Sequence, residues 1–211
     1  MNDLYIESEN WEAFKSKYVL PSVLNKEWDL IVDCLFGGCY GFQMFTKDFC
    51  DQVINIANNE NKWAEKQRES NQEYSTNDVL LNEVGLDDIY VNLLVEYVYP
   101  AIIHTYHLES LTKDKSEQDV FFSENLLVKY TLENQSHLSL HHDFSAVTTI
   151  LSLNEEFEGG GTWFVNQKKL VKNKVGYMTF HPGMFSHYHG ARPIMSGERY
   201  VVISFNNWTP S

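Results

Sequence analysis

A chain of 211 residues with 43% hydrophobic content is long enough for one domain with a substantial core, and 12 Tyr and 13 Phe against five Pro exclude a disordered polymer. The net charge of −13, from 29 acidic and 16 basic residues, argues against a nucleic-acid surface, which needs a basic face; it suits a cationic partner or plain solubility. No run reaches the ~18 apolar residues of a membrane-spanning helix, and the acidic, polar start does not read as a signal peptide, so the chain is expected to be cytosolic or cut from a longer one.

Residues 10–17 fit a short helix, and residues 29–36 read as a buried strand ended by Gly37-Gly38. Cys34, Cys39 and Cys50 allow at most one disulfide, and no second Cys or His pair stands beside them at zinc-finger spacing. Thr46 is the expected N-cap, with Asp48 in the first turn, of a helix carrying Phe49, Val53, Ile54 and Ile56-Ala57 through about Asn59. Residues 60–78 are polar and rich in Asn, Glu and Ser, long enough to predict a mobile flap or binding segment. From Asp87, an amphipathic helix carries Ile89, Leu93-Leu94, Tyr97-Val98 and Ala101-Ile102, and Pro100 is expected to kink or split it by crowding the carbonyl of Glu96. Residues 109–118 form a polar link.

The character then changes. Residues 126–131, 147–153, 162–165, 177–180 and 200–205 are short β-branched or aromatic runs separated by turn signals. Helices followed by many short strands predict an α+β fold: one domain, with residues 1–119 as a helical flank and 120–211 as a jelly roll (a double-stranded β-helix). Glu158-Gly159-Gly160-Gly161 lacks the Lys-Ser/Thr of a phosphate loop and reads as a tight turn back into the barrel.

The candidate chemistry lies between residues 138 and 206. If extended, His141-His142-Asp143 points His141 and Asp143 one way and His142 the other. Taken alone the triplet is no more than a surface turn. His181, His187 and His189 are three of only eight histidines in the chain, and His187 and His189 share a face, so either could enter a cavity. Two imidazoles and a carboxylate match the facial triad of non-haem iron, a pattern shared with zinc or manganese cupins. Arg199, at the head of an apolar strand, is costly there unless it meets a small dicarboxylate or an internal acid. Arg192, beside Ala191 and Pro193, reads as a loop residue.

With these residues aligned, the chain resembles the C-terminal hydroxylase domain of the procollagen-lysine 2-oxoglutarate 5-dioxygenases, the lysyl hydroxylases, in a form that suits a giant virus. The resemblance is carried by His141-His142-Asp143, Glu158-Gly159-Gly160-Gly161, His181-Pro182-Gly183, His187-Tyr188-His189 and Gly197-Glu198-Arg199-Tyr200, and reaches upstream to Leu127-Val128-Lys129-Tyr130 and Tyr99-Pro100. It implies Fe(II) held by His141, Asp143 and His189, with His189 chosen over His187 because it stands ten residues before Arg199. It further implies Arg199 as catalytic partner of the 2-oxoglutarate C5 carboxylate and Tyr130 as a hydrogen-bond donor to that end. Hydroxylation of lysine C5 in collagen-like X-Lys-Gly peptides would then consume O2, with ascorbate keeping the iron reduced, in a homodimer of the endoplasmic reticulum lumen. Ile150 departs from an expected asparagine and Thr162 from an expected cysteine. The rival readings are a prolyl or other protein hydroxylase of the same metal class, a metal-binding jelly roll without catalysis, and an interaction domain without metal.

Overall fold

The computed structural model describes residues 3–63, 76–113 and 120–209. Two ten-residue strands, β4 (Phe121–Tyr130) and β13 (Arg199–Trp208), pair antiparallel over their whole length, from Arg199 opposite Tyr130 to Trp208 opposite Phe121. With β1 (Asp33–Phe36), β2 (Cys39–Gln43), β3 (Asp78–Leu80), β6 (Val147–Ser152) and β10 (Tyr177–Pro182) they form a sheet in the order β1-β2-β10-β6-β13-β4-β3. A second sheet runs β5-β11-β8-β9, from Leu138–His141, His189–Ala191, Thr162–Phe164 and Lys169–Val171. Strands β12 (Ile194–Gly197) and β7 (Phe157–Gly159) make a separate ribbon. This is the jelly roll the strand pattern predicted. Among the described residues no helix is long and apolar enough to cross a membrane.

The middle of the larger sheet is buried on both faces, which is why β6 and the first half of β13 read as nearly continuous runs. On β13, Tyr200 and Val202 join the helix-side core, while Val201 belongs to a second cluster with Leu126, Val128, Tyr130 and Ile150. Period-two geometry thus divides each strand between a structural core and the wall of a cavity. The helix-side core is closed by α1 (Asp3–Ser8), α2 (Trp11–Tyr18), α3 (Pro21–Leu24), α4 (Trp28–Ile31), α5 (Lys47–Glu60), α6 (Asp87–Leu93) and α7 (Tyr99–Thr105). Asn10 caps α2 by accepting from Ala13 N–H at 3.3 Å, and Thr46 caps α5 by accepting from Phe49 N–H at 3.5 Å.

Several expectations are corrected. Residues 29–36 are not a buried strand: α4 turns Trp28 inward against Phe42 and leaves Leu30 81% exposed, so only Asp33–Phe36 remains as an edge strand paired on one side. The disruption foreseen at Pro100 takes the form of a π turn, Leu94–Val98, one turn earlier. Tyr99 N–H bonds the carbonyl of Leu94 there, and Pro100 falls in the first turn of α7, where a missing N–H costs least. The first half of the chain is also not purely a helical flank, since β1, β2 and β3 join the main sheet. Of the flap expected at residues 60–78, positions 64–75 lie outside the described residues.

Candidate metal centre

Strands β5 and β11 bring the two histidines together. His141 and His189 are register partners across this pair, with ring centroids 4.6 Å apart. Asp143 follows β5 by two residues and swings its carboxylate between them: Oδ1 lies 3.3 Å from His141 Nε2 and Oδ2 3.7 Å from His189 Nε2. One donor atom from each of the three lies within 4.8 Å of the others. His187, the alternative the sequence left open, sits in a short turn with Nε2 3.2 Å from the Gly37 carbonyl, so its ring belongs to the β1–β2 hairpin. Gly38, at φ +80°, leaves room for that ring; a Cβ there would meet it at 2.8 Å.

The imidazoles are oriented from behind. His141 Nδ1–H donates to Ser139 O and His189 Nδ1–H to His187 O, both at 2.8 Å, which turns each Nε2 toward the centre. Thr148 Oγ1 donates to Asp143 Oδ2 at 2.6 Å. Its hydroxyl hydrogen being committed there, Ser145 Oγ at 2.7 Å is the donor to Thr148. Burial opposes ionisation of Asp143, yet the bonds from His141 and Thr148 and the neighbouring imidazoles hold its carboxyl well below the usual range. Burial likewise works against charge on His141, but Asp143 and the Ser139 carbonyl raise its pKa above the ordinary value; at His189 burial wins and lowers it. Two imidazoles and one carboxylate gathered on one side fit a divalent first-row metal with open positions, and ferrous iron in particular.

The three donors open onto a cavity of about 190 Å³ between the sheets, whose wall includes Tyr130, Thr148, Ile150, Thr162 and Arg199. Arg199 and Tyr130 face each other across β13 and β4, with the guanidinium carbon 5.1 Å from the ring centroid. Both are buried, and no carboxylate among the described residues lies within salt-bridge distance of Arg199. Burial lowers the Arg199 pKa and raises that of Tyr130, so the phenol stays protonated as a donor. Arg192, by contrast, is exposed.

Other residues singled out in the sequence take supporting places. His181 is fully buried behind His189, 5.0 Å between ring centroids, with Nδ1 on the Pro182 carbonyl and Nε2 without a hydrogen-bond partner among the described residues. Burial and the neighbouring His189 push its pKa down to about 3, so it is a neutral packing group. His142 points away from the centre, as alternation required, against the rings of Phe144 and Phe185. The glycine run turns β7 into β8 with φ of +74°, +64° and +93°, and a Cβ at Gly159 would strike the Pro193 carbonyl at 2.6 Å. Thr148 was missed, because a threonine in an apolar strand carries no signal of its own.

No family profile matches the chain. The procollagen lysyl hydroxylase and glycosyltransferase of Acanthamoeba polyphaga mimivirus is 35% identical over 97% of this chain and 23% of its own length. Human procollagen-lysine,2-oxoglutarate 5-dioxygenase 2 is 28% identical over 97% of this chain and 28% of its own length. The chain therefore spans about a quarter of these relatives, and the likeness extends upstream of the motifs that first suggested it. Among solved structures, a Pseudomonas putida prolyl-4-hydroxylase superposes with a TM-score of 0.60 at 12% identity, covering 90% of this chain and 98% of that one. Sequence and fold together make this chain a relative of the C-terminal hydroxylase domain of the procollagen lysyl hydroxylases, within the 2-oxoglutarate-dependent dioxygenases.

Proposed function

We propose that residues 1–211 act as one catalytic domain that hydroxylates lysine at C5 in collagen-like X-Lys-Gly peptides, with Fe(II) and 2-oxoglutarate, giving 5-hydroxylysine, succinate and CO2. One observation carries the reading: a converging His141–Asp143–His189 cluster and a buried Arg199 without a carboxylate partner among the described residues line a single cavity. The relatives' names supply the lysine. The same kinship extends the proposal to O2 as co-substrate, ascorbate as reductant, a homodimer and the endoplasmic reticulum lumen.

His141, Asp143 and His189 would hold the metal. When bound, Fe(II) with 2-oxoglutarate supplies the oxidant: one oxygen atom enters the co-substrate as it becomes succinate and CO2, the other enters the C–H bond. Thr148, Ser139 and His187 keep the donors aimed before the metal arrives, so little reorganisation remains. Arg199 offers a two-pronged donor to the far carboxylate of the co-substrate, and Tyr130 adds a hydroxyl donor beside it. Val201, Ile203 and Leu126 line the same cavity and exclude water. Ile150 and Thr162 also form part of this wall, so the departures noted in the sequence alter the cavity's polar lining and leave the donor cluster intact.

The test is 2-oxoglutarate decarboxylation with and without a Lys-Gly peptide, followed by mass spectrometry of a peptide holding both Lys and Pro. Oxidation at lysine, abolished by His141→Ala, is expected. The second reading, favoured by the fold's likeness to a prolyl-4-hydroxylase, is oxidation at proline in the same peptide.

A further inference from the structure

The rim of the candidate metal centre carries apolar surface that folding does not use. Phe144 is 80% exposed, Phe185 70% and Met184 48%. They come from two segments distant in sequence and meet around one imidazole: His142 lies 4.9 Å from the Phe144 ring and 4.3 Å from the Phe185 ring. Scattered exposed phenylalanines need no explanation, whereas a contiguous apolar patch on a domain surface marks a place of contact. This one interleaves with the candidate ligands, since His142 separates His141 from Asp143 and Phe144 follows directly.

The patch is also held in place. Met184 adopts φ +60°, ψ −166°, a region that side-chain-bearing residues rarely enter. Such a conformation persists only where the surroundings impose it. Here the Met184 N–H donates to the Asp143 carbonyl at 2.8 Å, and Gly183 N–H to the Ala146 carbonyl at 3.3 Å. Gly183 permits this approach, because a Cβ there would lie 2.2 Å from the Ser145 carbonyl. Asn166 Nδ2 donates to the Phe185 carbonyl and Gln167 Nε2 to the Ser186 carbonyl, at 3.3 and 3.0 Å. The Phe185 ring is thus presented on a braced loop tied to the segment that carries Asp143 and Phe144.

Resting on the reading of the cavity as a peptide hydroxylase site, we infer that His142, Phe144, Met184 and Phe185 form a shelf that seats the substrate backbone beside the reacting side chain. Its occupant is an extended, proline-containing polypeptide. The shelf offers ring faces, an imidazole and a thioether. Flat aromatic surface is what recognises polyproline II chains, whose preformed geometry loses little freedom on docking. The shelf flanks the cavity rather than lining it, next in sequence to His141 and Asp143 and tied to the Asp143 carbonyl by the Met184 N–H, so it stands beside the path of a backbone whose side chain reaches into the site.

The experiment measures steady-state turnover of the full chain with two peptides, one with prolines flanking its lysine and one with alanines in their place. Phe144→Ala, Phe185→Ala and the double variant are compared with Phe122→Ala, another exposed ring that lies on β4. The double variant is expected to raise KM for the proline peptide about tenfold or more, with kcat nearly kept, and to move KM for the alanine peptide far less. Phe122→Ala should move neither. An unchanged KM for the proline peptide in a protein that does turn it over overturns the shelf alone. A double variant that turns a dimer into a monomer with KM unchanged assigns the patch to a second copy and also overturns it. No peptide-dependent turnover by the unaltered chain removes the hydroxylase reading, and the shelf with it.

Discussion

Arg199 stands directly across the β13–β4 pair from Tyr130, its guanidinium over the phenol ring and both side chains buried. A cation–π contact offsets only part of the cost of taking a guanidinium out of water, typically by about 0.5–2 kcal/mol. The site therefore carries a charge whose best partner is not among the described side chains.

Replacing Arg199 with methionine should act oppositely on stability and on ligand. Removing an incompletely compensated buried charge is neutral or stabilising by about 1–4 kcal/mol, so the ligand-free Arg199→Met protein is expected to melt no lower than the parent. Its affinity for 2-oxoglutarate should fall by about 2–5 kcal/mol, the cost of truncating one side of a buried charge pair. Thermal melts and a 2-oxoglutarate titration of both proteins decide it. A ligand-free variant that melts lower would mean that the guanidinium already has an internal partner.

Thr148 is predicted to tune the metal without touching it. Its hydroxyl fixes Asp143 Oδ2 and is itself fixed by Ser145. Thr148→Val keeps the shape and removes the donor, and should weaken Fe(II) binding about 10–100-fold. Thr148→Ser should restore most of it. Metal titration monitored by competition with a chelator reads this directly, independent of turnover.

These two residues also mark what the sequence could disclose. His141, Asp143 and Arg199 stood out by residue type, alternation and setting, whereas His189 was separated from His187 only through the family resemblance. Thr148 and the backbone carbonyls of Ser139 and His187 were not legible, since orientation of a ligand depends on which distant groups the register brings behind it. The central strands were legible for a related reason: burial on both faces of the middle of the main sheet leaves runs rich in β-branched and aromatic residues at 147–153 and 200–205. Short strands such as β7, β9 and β12 are set by their partners, and their three or four residues hold no period. Residues 29–36 misled because an apolar run fits a buried strand as well as a helical turn followed by an edge, and only the packing of Trp28 distinguishes them.

The N-terminal helices are held by an ion pair that gives the fold an acid-sensitive seam. Glu96, in the π turn, accepts from Lys15 Nζ at 2.6 Å, Trp11 Nε1 at 2.8 Å and the Tyr97 hydroxyl at 2.9 Å. Burial opposes its charge, but these three donors lower its pKa below the ordinary 4.5. A carboxyl depressed in the folded state adds stability above its unfolded pKa and loses it as pH falls through the folded value. Glu96→Gln should therefore cost about 1.5–3 kcal/mol at neutral pH, with the gap to the parent narrowing below pH ~4. Urea unfolding of the two proteins at both pH values measures the gap; a constant difference would assign the loss to packing alone.

On the proposed function, the net charge of −13 acts in opposite directions on peptide and co-substrate. A lysine-bearing peptide is drawn toward such a surface, and 2-oxoglutarate, a dianion, is repelled until it reaches Arg199. Raising ionic strength from 0.01 to 0.1 M shortens the screening length from about 30 to about 10 Å. The KM for a cationic peptide should then rise several-fold, while the KM for 2-oxoglutarate stays level or falls, with kcat little changed. A nonspecific salt effect on the protein would move both in the same direction. Steady-state rates at two salt concentrations, with each substrate varied in turn, separate the cases. Equal rises in both KM values would show that the acidic surface contributes nothing to substrate capture, leaving its charge with solubility alone.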